Sequence, residues 1–62
     1  MTEPARTIRV MLLDDHEVVR RGVAELLSRE ADLEVVAEAS TAAEALRVAA
    51  REQPDVAILD VR

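Results

Sequence analysis

The sequence predicts an α/β fold of order β-α-β-α-β, a parallel sheet with helices on both faces. Three observations predict it. Two apolar runs, Ile8–Leu13 and Val56–Leu59, read as covered strands, and each ends in acid: Asp14-Asp15 after the first, Asp60 after the second. Two segments of helical period lie between them. A stretch that alternates apolar residues with Glu separates those helices. Short connections and right-handed crossovers then give parallel strands.

Thr7–Leu13 is the first strand. Ile8, Val10 and Leu12 point to one face, and Met11 and Leu13 to the other. Apolar residues on both faces mean cover on both sides. Asp14-Asp15-His16 breaks the pattern, and a helix begins at His16 or Glu17 with Asp14 or Asp15 as its N-cap. At 100° per residue, Val18, Val19, Gly22, Val23, Leu26 and Leu27 share one half of its wheel. Glu17, Arg21, Glu25 and Ser28 share the other half, with Glu17–Arg21 and Arg21–Glu25 as i,i+4 pairs. Gly22 costs about 1 kcal/mol relative to Ala inside a helix. Its place at the edge of the apolar arc predicts close approach of a neighbouring backbone.

Arg29–Asp32 is a polar connection. Leu33–Ala39 carries Glu near its start and end, as an edge strand would. Thr41 and Glu44 form a capping-box pattern that starts the second helix. Its predicted inner stripe is Ala42, Ala45, Leu46, Ala49 and Ala50, with Glu44, Arg47 and Arg51 facing water. Gln53-Pro54-Asp55 ends the helix, because proline cannot continue it. Val56–Leu59 is apolar throughout and is expected to be central.

The totals narrow the function classes. The chain of 62 residues makes at most one domain, with no Cys to staple it. It has no Phe, Tyr or Trp, so stacking on single-stranded bases is excluded. Net charge is −5 and the eight cations are all Arg, so direct nucleic-acid contact by this segment is not expected. No apolar run approaches the roughly 20 residues of a membrane span. The first six residues are polar and read as a disordered tail, not a signal peptide. The cytoplasm is the expected location.

In open α/β sheets ligands bind beyond the carboxyl ends of the strands, where strand order reverses. If the first strand lies between the other two, Asp14, Asp15 and Asp60 all emerge at that edge. Carboxylates brought together repel unless a cation is present, and a hard divalent ion such as Mg²⁺ takes oxygen ligands. Such a site accepts a phosphoryl group, and a carboxylate can attack phosphorus to give an aspartyl phosphate. A single acid after a strand is more often a helix cap or a solvated residue; the double Asp followed by the single Asp is the specific signal. His16 reads as a helix-start residue, since Mg²⁺ prefers oxygen.

These segments resemble a known family. Leu12-Leu13-Asp14-Asp15-His16-Glu17-Val18-Val19-Arg20-Arg21-Gly22 looks like the start of a response-regulator receiver domain of the NarL/FixJ type. Pro54-Asp55-Val56-Ala57-Ile58-Leu59-Asp60-Val61-Arg62 looks like its phosphoacceptor strand. Within that type the likeness is to dormancy regulators of the DosR/DevR kind. The resemblance covers residues 7–62 and implies a partial receiver with a flavodoxin-like (CheY-like) sheet, truncated after the third strand. It implies Asp60 as phosphoacceptor, with Asp14, Asp15, Asp60 and the backbone carbonyl of Arg62 as Mg²⁺ ligands. It implies a sensor histidine kinase as partner, part of whose docking surface is the first helix. In a full-length protein it implies control of transcription through a helix-turn-helix outside this segment. A receiver is not itself an enzyme in this reading.

The resemblance also implies a Ser/Thr and a Lys beyond the third strand, and neither follows Asp60 here. The expectation is therefore a receiver fragment with an unpaired third strand that, alone, is poorly folded or self-associates; a sharp monomeric melting transition would contradict it. A signalling-incompetent interaction fragment is the first alternative reading. A haloacid-dehalogenase-like phosphatase would need an acid two positions after Asp60, where Arg62 stands. A cobalamin module resembling Asp-x-His-x-x-Gly would need Gly at Val19.

Overall fold

The computed structural model describes residues 7–60. The expected disordered tail, residues 1–6, and the carbonyl of Arg62 lie outside the described residues. The elements run β1 (Ile8–Asp14), α1 (Glu17–Ser28), β2 (Leu33–Ala39), α2 (Ala42–Glu52) and β3 (Val56–Asp60). The strands form one parallel sheet in the order β2-β1-β3, so β1 is the central strand.

The two sides of β1 build two cores. Val10 and Leu12 pack with Ala24 on the α1 side, joined by Val23, Leu27, Leu33 and Val35. Met11 packs with Ala39, Ala45 and Val48 on the α2 side, joined by Leu13, Ala37 and Ala49. The expected faces of β1 are therefore correct. β2 is less regular than its alternation suggests. Val10 pairs with Val35 but Met11 pairs with Ala37, so Val36 is an extra residue at a bulge. A one-residue shift turns side chains over. Leu33 and Val35 thus serve the α1 core, whereas Ala37 and Ala39 serve the α2 core.

The helices sit rotated from their expected stripes. On α1 the inward residues are Arg20, Val23, Ala24 and Leu27, spaced i, i+3, i+4, i+7. Val18 is 86% exposed, and Leu26 is exposed too. On α2, Val48 turns inward with Ala45 and Ala49, while Leu46 is 74% exposed. Both shifts have one cause. Each apolar arc is wider than the strip its helix can cover, and small Ala residues let the helix sit close to the sheet. Gly22 corrects another expectation: a Cβ built there meets nothing within 4 Å among the described residues. Its helix cost is not offset by a close contact there.

The caps are also specific. His16, not an Asp, is the N-cap residue of α1, and its side chain makes no capping bond. The Asp14 carboxylate instead accepts the His16 backbone N–H at 2.8 Å. Thr41 caps α2 by accepting from the Glu44 N–H at 3.1 Å. Glu44 reaches back one residue further than a standard capping box, accepting from the Ser40 N–H at 2.7 Å. That backbone hydrogen bond holds the Glu44 carboxyl below its ordinary range. The contribution of this cap is therefore present at neutral pH and is lost as pH falls through the Glu44 titration. On α1 the expected partners of Arg21 are not engaged among the described residues; Arg29 takes Glu25 at 3.5 Å. α2 ends at Gln53, which adopts a left-handed φ of 50° before Pro54.

β3, apolar as a central strand would be, is an edge strand among the described residues, with β1 as its packing neighbour and its far side unpaired as the truncated sheet predicts. Val56, Ile58 and Leu59 are all exposed. A groove of about 210 Å³ runs beside it on the α1 side, lined by Val19, Val23 and Ile58 among others. A second, of about 320 Å³, lies on the α2 side and includes Leu46, Ala57 and Leu59. An apolar strand edge of this kind favours pairing with another chain.

Candidate functional site

The acids collect at the carboxyl edge of the sheet. Asp14 is the last residue of β1, and its register partner on β3 is Asp60. The two therefore stand side by side on neighbouring strands. Register is fixed at the other end of the same pair. The Arg9 N–H donates to the Asp55 carboxylate at 2.9 Å, and the Asp55 N–H donates to the Arg9 carbonyl at 2.8 Å. The Arg9 guanidinium also holds the carbonyls of Glu52 and Gln53, which ties the end of α2 to β1. With Arg9 opposite Asp55, five ladder steps place Asp14 opposite Asp60.

Asp14 is 7% exposed, the one buried charged side chain among the described residues. Asp15 is exposed beside it, and Asp60 is half-buried. One oxygen each from Asp14 and Asp15 and a ring nitrogen of His16 lie within 4.8 Å of one another. His16 Nδ1 lies 3.1 Å from Asp14 Oδ1 and 2.8 Å from Asp15 Oδ1. His16 is thus a helix-start residue, as expected, and its Nδ1 also lies close to both acids, hydrogen-bonded to Asp14. Sequence spacing alone did not show that contact. The tight group does not include Asp60, although Asp60 lines the α1-side groove together with Asp14.

The edge holds one further residue that sequence reasoning passed over. Arg20 reaches from α1 to the Asp14 carbonyl at 2.7 Å and to Glu38 Oε1 at 3.0 Å. The available signal was its spacing: it stands three and four residues before the inward Val23 and Ala24.

Comparison with known proteins fits this geometry. The profile of the response regulator receiver domain matches residues 10–62. This chain belongs to that family. The receiver chain is 53% identical over 55 residues to the DNA-binding transcriptional activator DevR/DosR of Mycobacterium tuberculosis, covering 89% of the chain and 25% of that protein. It is 48% identical over 54 residues to the transcriptional regulatory protein LiaR of Bacillus subtilis, covering 87% of the chain and 26% of that protein. It therefore spans about a quarter of the length of these relatives. A solved structure of the signal receiver domain of NarL from Mycobacterium tuberculosis superposes with a TM-score of 0.85 at 42% identity. That match covers 92% of this chain and 46% of the NarL domain. The NarL/FixJ-type reading and the β-α-β-α-β part of a receiver sheet are both borne out. Among the described residues, no helix is long and apolar enough to cross a membrane.

Proposed function

We propose that residues 7–62 form a receiver unit of a two-component phosphorelay that accepts a phosphoryl group on Asp60 from a sensor histidine kinase. The observation that carries this reading is the pairing of Asp14 with Asp60 at the carboxyl edge of parallel strands, with Asp15 next in the chain. Carboxylates at the ends of two neighbouring strands suit a hard divalent ion. Asp14, Asp15 and Asp60 would hold Mg²⁺, with the Arg62 carbonyl as a further ligand. His16 Nδ1 is engaged with the carboxylates and is assigned no metal role. When bound, the ion supplies countercharge for the phosphoryl oxygens.

An Asp60 carboxylate oxygen forms the new bond to phosphorus. The bond from phosphorus to the kinase's imidazole nitrogen breaks, and its electron pair stays on that nitrogen. In the full-length protein the modified receiver controls transcription, in the cytoplasm, with DNA contacts made outside this segment. The exposed β3 edge supports self-association of the isolated chain.

Labelled acetyl phosphate with Mg²⁺ tests the assignment. The chain should take up label, and Asp60→Asn should lose all of it. Equal labelling of the two proteins would remove Asp60 from the role.

A further inference from the structure

The inward stripe of α1 is apolar except at its first position, where Arg20 stands with its side chain 13% exposed. A guanidinium this covered must find fixed partners. It finds two, on two different strands. Its Nη1 donates to the carbonyl of Asp14, the last residue of β1, and its Nε to the carboxylate of Glu38 near the end of β2.

The geometry around it is specific. The ladder between β1 and β2 ends at Leu13 and Ala39, so the Asp14 carbonyl lies just past it. That carbonyl belongs to the Asp14–Asp15 peptide plane, which carries the Cα atoms of both acids, so holding the plane holds the two points from which the carboxylates project. Glu38 faces α1 because of the bulge at Val36. It pairs with Leu12, whose side chain lies on the α1 side. Without the extra residue its side chain would point to the α2 side.

We propose that Arg20 is a positioning residue for the acidic site, acting through the Asp14–Asp15 peptide and held in place by Glu38. This rests on the reading of Asp14 and Asp15 as metal ligands. Arg20 holds the peptide from which they project and places a fixed positive charge behind them. Outer partners that orient metal ligands typically change metal affinity by about 10–100-fold when removed.

The test is Mn²⁺ titration of the full chain, followed by water-proton relaxation, with the thermal melt of each variant recorded alongside. Arg20→Ala should weaken Mn²⁺ binding about 10–100-fold. Arg20→Lys keeps the charge without the planar fork, so it should recover part of that loss. Glu38→Gln should weaken binding less than Arg20→Ala. If Arg20→Ala does not fold, Arg20→Lys and Glu38→Gln decide. Wild-type affinity in the folded Arg20 variants, with only the melts lowered, would reduce Arg20 to a structural residue and overturn the proposal. Absence of Mn²⁺ binding by the wild type would instead overturn the metal reading on which it rests.

Discussion

Replacing Leu12 by Ala should unfold a large fraction of the chain. Leu12 is 2% exposed on the central strand, in the core that includes Val10, Ala24, Val23 and Leu27. Truncating a buried Leu costs about 2.7–5 kcal/mol, from lost transfer energy and the cavity left behind. At roughly 0.05–0.15 kcal/mol per residue, a chain of this length holds only about 3–9 kcal/mol in total. The core has no aromatic side chain that could swing into the gap. Val18→Ala is the matched control, since Val18 lies almost wholly in solvent and should change stability by less than about 0.5 kcal/mol. Urea denaturation of the two variants makes the comparison. A Leu12→Ala cost near that of Val18→Ala would mean that β1 does not centre the core.

Asp14→Asn should have effects of opposite sign on stability and on metal binding. The Asp14 carboxylate is buried beside Asp15 and pairs across the sheet with Asp60. Removing its charge relieves desolvation and like-charge repulsion. An Asn oxygen can still accept the His16 N–H that Asp14 Oδ1 accepts now. The metal-free variant should therefore be more stable, by about 1 kcal/mol. Divalent-ion affinity should fall by at least about 100-fold, beyond the effect of losing an outer partner. Melting curves with and without Mg²⁺ read both effects: the metal-free curve moves up and the Mg²⁺-dependent shift disappears. A variant that kept the full Mg²⁺ shift would exclude Asp14 as a ligand. Asn at this position would trade function for stability, a common bargain at charged sites.

Much of this was legible in the sequence because the signals were local. The acids that end β1 and β3 share an edge if the first strand lies between the other two, and the pairing of Asp14 with Asp60 meets that condition. Thr41 and Pro54 marked the ends of α2 through capping and ring chemistry. The misreadings arose where packing chose among equal options. In an Ala-rich helix many faces are apolar, so nothing local preferred Val48 to Leu46. Val35, Val36 and Ala37 are all apolar, so no side chain marked where β2 changes faces. Arg20 read as one more surface cation until its two partners on other elements were known.

The extra residue at Val36 has a consequence for how the molecule comes apart. The first half of β2 belongs to one layer and the second half to the other, and both helices touch this strand. Neither helix rests on a strand of its own. Releasing α1 frees Leu33 and Val35, and with them the start of the ladder that holds Ala37 and Ala39 under α2. The two faces should then open together as one cooperative unit.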